Sequence, residues 1–154
     1  MSDNKNPYMQ AAAAYGVTVA ATDQRSLEGT VLLKAAQRLE ALAERLKAGE
    51  KVDFREVGEI VQQNQKLWLL FVNDASNPEH PLPQEIKNNI LSLGAYIFNR
   101  TKNVMIEPTA DKLTILISIN RNIAAGLLKR APGTRPKQES QPQQTGRESA
   151  DSFA

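Results

Sequence analysis

The chain has 154 residues, with 19 basic and 17 acidic side chains, one histidine and no cysteine. That length holds one domain, or one domain with a tail. The near balance of charge lacks the concentrated basic excess of a duplex-binding surface, and without cysteine neither disulfides nor thiolate chemistry is available.

The opening stretch MSDNKNPYMQAAAAYG lacks the charged-then-apolar layout of a signal peptide. No window has the apolar length needed to span a bilayer, so a cytoplasmic protein without a membrane segment is expected. Residues 1–25 are small and polar, with a short helix through YMQAAAAYG that Gly16 ends. Next, SLEGTVLLKAAQRLEALAERLKAG sets Leu32, Ala35, Leu39, Leu42 and Leu46 at alternating spacings of three and four, a heptad-like helical stripe. Gly49 stops it. Asp53 with Glu56 three residues on has the form of a capping box. The helix it opens carries Phe54, Val57, Val61, Trp68 and Phe71 on one face, widened by Ile60 and Leu67. Asn64 stands where this stripe asks for an apolar side chain.

NDASNPEHP breaks that helix, and Pro83 suits the first turn of a third long one, with Ile86, Ile90, Leu93, Ile97 and Val104 on its core face. Pro108 ends it. Thr109 and Asp111 restart helix almost at once, so the third and fourth long helices are expected to form a tight antiparallel hairpin. The last helix runs from about Ala110 to Arg130, with Lys129 and Arg130 at its negative dipole end. From Pro132 onward, three prolines and four glutamines with scarcely any apolar residue cannot offset the entropy of ordering. The expected architecture is all-α: a four-helix bundle-like domain over residues 26–131, an N-terminal segment 1–25 with its short helix, and a disordered tail over 132–154.

Catalytic constellations are hard to find. His80, the single histidine, sits in a loop between Glu79 and Pro81, and without cysteine or a second histidine a transition-metal site is not expected. Glu40 and Glu44 are spaced i, i+4 on a polar face and read as solvated surface. There is no phosphate-binding glycine pattern. The chain therefore reads as a non-enzyme with no cofactor and no metal.

Two features rise above this background. Leu67, Trp68, Leu69, Leu70 and Phe71 are consecutive, so one helical turn is apolar all round. Either that helix is central in the bundle, or one side of it lines a groove for a partner. The second feature is TILISINRNIAAGL, in which Asn120 falls within the stripe Leu113, Leu116, Ile123, Leu127 as Asn64 does in its own helix. Buried asparagines can pair with one another and fix helix register. Asn120 and Asn122 are expected to lock register, Arg121 to tie down a neighbouring helix end or loop, and Ala124, Ala125 and Gly126 to admit a close helix approach.

The segments LLKAAQRLE, NQKLWLLF, PLPQEIKNNILSLGAYIFNRT and LISINRNIAAGL resemble, in order and spacing, the FlaF family of flagellar proteins, from about Ala11 to Leu128. The resemblance implies a small cytoplasmic protein that acts as an export chaperone for flagellin and a positive regulator of its synthesis, associated with a second regulator, FlbT. A helical bundle with an apolar groove suits capture of an amphipathic flagellin segment. On this reading Asn64, Leu67, Trp68, Phe71, Asn120, Arg121 and Asn122 are the candidate partner-binding residues, with Trp68 as the anchor. Two alternatives remain: direct binding of flagellin messenger RNA through Arg100, Lys102, Arg121, Lys129 and Arg130, or an adaptor working mainly through FlbT. The five basics are scattered and lack an aromatic stacking platform, which counts against RNA.

Overall fold

Five helices make up nearly all of the residues that the computed structural model describes, 6–17 and 23–129. They are α1 (Pro7–Ala14), α2 (Gln24–Lys47), α3 (Phe54–Ala75), α4 (Gln84–Ile106) and α5 (Ala110–Lys129). The segment expected to be a disordered tail, 132–154, lies outside the described residues, as does Arg130.

Local chemistry explains most boundaries. Asn6 caps α1 through a bond from the Tyr8 backbone N–H, with Pro7 at the first helical position. Gly16, at φ +73°, turns the chain out of α1. Asp23 caps α2 by accepting from the Ser26 N–H at 3.0 Å, so α2 starts at Gln24, slightly before the serine that opens the apolar pattern. The capping box expected at Asp53 does not form. Asp53 makes no side-chain cap bond, and Glu56 instead binds Arg45 of α2 at 2.7 and 3.2 Å. A charged fork on a neighbouring helix competes better for Glu56 than a backbone amide does.

The four long helices form a square. α2 packs most extensively on α5 and α3 on α4, with lesser α4–α5 and α2–α3 contacts. The expected α4–α5 hairpin exists, and Lys112 donates to the Asn103 and Glu107 carbonyls at the end of α4. Even so, the main partner of α5 is the first long helix rather than its sequence neighbour. The reason is small residues. Gly29 of α2 lies so close to α5 that a Cβ there would sit 2.6 Å from Leu128 Cγ, and Ala35, Ala36 and Ala43 are buried along the rest of α2. Gly94 of α4 likewise faces Val72 of α3. Gly126, expected to mark a close approach, has nothing within 4 Å of a Cβ position.

The apolar stripes of α2, α4 and α5 all turn inward. Phe54 departs from its stripe. At the first residue of α3 it projects past the bundle end and is 62% exposed. α1 crosses α2 and α3 and buries Tyr8 and Ala12 against them.

Candidate partner-binding site

At the centre of the square, α3 and α5 are diagonal, and their Cα atoms stay more than 8 Å apart. Side chains bridge the gap. The Trp68 indole N–H donates to Asn120 Oδ1 at 2.8 Å, and Asn120 Nδ2 donates to Asn64 Oδ1 at 2.7 Å. All three side chains are fully buried. The direction of this chain is forced, because an indole N–H can only donate. Asn120 must therefore turn its oxygen to Trp68 and its amide to Asn64. Asn64 is left presenting its oxygen, and its own Nδ2 has no hydrogen-bond partner. The two asparagines pair across the bundle as the stripes imply, and Trp68 is their third member.

The apolar turn resolves in the same region. Leu67, Trp68 and Phe71 belong to the core, Leu69 points outward, and Leu70 is half-buried beside α1. The Tyr8 ring meets Phe71 edge-on, with centroids 5.0 Å apart, and the Trp68 and Phe71 ring centroids lie 5.8 Å apart. Trp68 as an open anchor is therefore corrected: it is fully buried and bonded to Asn120 in the interior, while α1, through Tyr8, covers Phe71 of the same turn. What remains open is a largely apolar cleft of about 250 Å³ between α1 and α3, with Leu67 in its lining and Ala11, Ala14, Tyr15 and Leu70 around it.

The other candidates separate by face. Arg121 is exposed and reaches Glu40 midway along α2, not a helix end or loop. Glu40, read as solvated surface, is its partner. Asn122 is exposed beside Ile115 on the outer side of α5 and locks nothing. Consecutive helical residues point about 100° apart, so the NRN triplet could not all face inward. Arg100 stacks over Tyr96 at 5.3 Å and donates to its hydroxyl at 2.7 Å.

A second buried polar cluster went unforeseen. Glu28 of α2 is 1% exposed; its Oε2 accepts from Gln24 at 2.8 Å and its Oε1 has no partner. Asp74, in the last turn of α3, accepts from the Tyr8 hydroxyl at 2.7 Å and has His80 Nε2 at 3.4 Å. Burial pushes the Glu28 carboxyl up to about 7, against the Gln24 bond and with help from the Asp74 charge. Burial, reinforced by the bond to Asp74, also pushes the Tyr8 phenol far above its ordinary value. One signal was available: stepping the α2 stripe back four residues from Leu32 lands on Glu28, just as the other stripes land on Asn64 and Asn120.

The family model for the flagellar protein FlaF matches residues 11–127 of the chain. The chain belongs to the FlaF family. The match takes in α2 to α5 almost completely and starts within α1, leaving Tyr8 outside it. The membership links the chain to the flagellum. No curated protein and no solved structure matches it. Among the described residues of this FlaF family chain, no helix is long and apolar enough to cross a membrane.

Proposed function

We propose that this FlaF family protein is a flagellin-binding export chaperone and positive regulator of flagellin synthesis, acting in the cytoplasm as a binding protein rather than an enzyme. The observation that carries this reading is the family match across residues 11–127. The docking surface we assign is the α1–α3 cleft, where Leu70 and Ala14 flank an apolar floor, in place of the buried Trp68. An amphipathic flagellin helix laid along that cleft would cover its own apolar face, and the ordering cost it bears keeps the complex reversible for export. A protein partner fits better than RNA, since Arg100 and Arg121, two of the basic side chains that RNA contact would need, are engaged within the molecule.

The test is flagellin pull-down with Leu70→Glu and Ala14→Arg, with circular dichroism to verify helix content. A loss of roughly tenfold or more in affinity, the scale of a hot-spot residue, is expected for each. Wild-type binding by both variants removes the cleft from the site. Failure of the wild-type protein to bind flagellin removes the function, and salt-dependent capture of flagellin leader RNA would put the RNA reading in its place.

A further inference from the structure

The cluster at the α1 end of the bundle breaks two local rules at once. Glu28 is buried with one carboxylate oxygen lacking any partner, an arrangement that leaves the desolvation of a charged group uncompensated. Asp74 stands in the last turn of α3, where the helix dipole is already negative and which holds no basic residue of its own. Arg25 contributes some positive potential toward Glu28, but Asp74 opposes it. Both anomalies concern unbalanced negative charge, and both face one point. Glu28, Asp74 and His80 each offer a ligand atom there, all within 4.8 Å of one another.

We propose that Glu28, Asp74 and His80 form a binding site for one divalent first-row transition-metal ion of the zinc class. One imidazole nitrogen and two carboxylate oxygens suit such an ion better than Mg2+ or Ca2+, which favour all-oxygen shells. The spread of the ligand atoms needs only small rotamer adjustments to reach bond lengths of about 2.0–2.2 Å, and water completes the shell. The loop that carries the imidazole is held in place. The His80 backbone N–H donates to the Asn77 carbonyl at 3.1 Å, and the buried Lys87 ammonium clamps that same carbonyl at 2.9 Å and Pro78 O at 3.4 Å. Ligation through Nε2 moves the imidazole proton to Nδ1 and replaces both the long 3.4 Å contact from the Leu82 N–H and the 3.4 Å approach of Nε2 to Asp74. His80 and Asp74 retain partial exposure, which gives the ion a path in from the loop side.

The ion ties together segments distant in sequence: α2 through Glu28, α3 through Asp74 and the α3–α4 loop through His80. Because the Tyr8 hydroxyl donates to Asp74, the ion also steadies the seat of α1. The site stands whether or not the partner is flagellin.

The experiment is calorimetric titration of the full-length, chelator-treated protein with Zn2+, and with Co2+ as a spectroscopic probe, alongside thermal melts. The wild-type protein takes up one ion saturably, its Tm rises on binding, and Co2+ develops visible absorption. His80→Ala and Glu28→Gln each lower the affinity by more than about tenfold, the loss seen even for groups one step removed from a metal. Saturable binding that both variants retain at wild-type affinity assigns the ion to surface carboxylates and overturns the proposal. Absence of saturable binding by the wild-type protein also overturns it, and a proton then balances Glu28. If Glu28→Gln fails to fold, His80→Ala in the loop decides alone.

Discussion

At the middle of the bundle, Trp68, Asn120 and Asn64 make a neutral chain of hydrogen bonds with one amide left over; at the α1 end, Glu28 and Asp74 bring carboxylates together with an oxygen left over. Both clusters contain fully buried polar groups set in apolar stripes, Asn64 and Asn120 in one and Glu28 in the other, yet they pose different physical problems. A neutral amide lacking one partner costs roughly 1–3 kcal/mol, and the network around it joins diagonal helices that have no backbone contact. A buried carboxylate lacking a partner has to recruit a proton or a cation. The first cluster, apart from one amide, is bonded within the fold and helps to specify it. The second is open to its surroundings, and pH and metal ions are the variables it responds to.

The sharpest way to break this comparison is at Trp68, which donates to the network and fills the core. Trp68→Ala should cost about 3–5 kcal/mol, read by urea denaturation; a loss under about 1 kcal/mol would mean that the side chain is not sealed inside. Asn120→Leu comes next. It leaves the Trp68 N–H without an acceptor and Asn64 without its only bond, so about 2–4 kcal/mol should be lost. Asn64→Leu should cost distinctly less, because it also deletes the unpaired Nδ2; equal costs would show that Asn64 holds a partner the geometry does not reveal.

For the charged cluster the expected sign is opposite and depends on pH. The Glu28 carboxyl is raised in the fold from 4.5 to about 7. Its contribution is therefore fully present below about pH 4.5 and is lost as pH rises through about 7. In chelator, Glu28→Gln should leave stability nearly unchanged at low pH and raise it by at most about 3 kcal/mol once the carboxylate would be ionised. Denaturation curves on either side of neutrality check this, and a variant that is less stable at high pH would reverse the assignment. The smallest effects belong to the outer face. Arg121→Ala and Asn122→Ala should each shift stability by under about 1 kcal/mol, since an exposed ion pair contributes little and Asn122 faces solvent.

Several features of both regions were legible in the residues. The stripe logic placed Asn64 and Asn120 inside the core, with pairing to one another as one way to satisfy them, and it needed only one more step to place Glu28. The missed partners are the ones supplied by other segments. Nothing local to Trp68 says that Tyr8, about sixty residues earlier, closes over Phe71. His80 looked isolated because its companions Glu28 and Asp74 come from different helices. Glu56 looked like a capping residue because the competing Arg45 lies on another helix.

By itself, then, the sequence determined where helices start and stop, which face of each is apolar and where polar residues interrupt those faces. Such features depend on neighbours within a few residues, on caps, glycines, prolines and the 3.6-residue period. The tertiary structure alone decided that α5 seats on α2 at Gly29, that α1 seals the aromatic turn, and that a carboxylate pair and an imidazole meet at one end. Those outcomes rest on close approach and on the desolvation of charges, and both are set by which surfaces meet across the bundle.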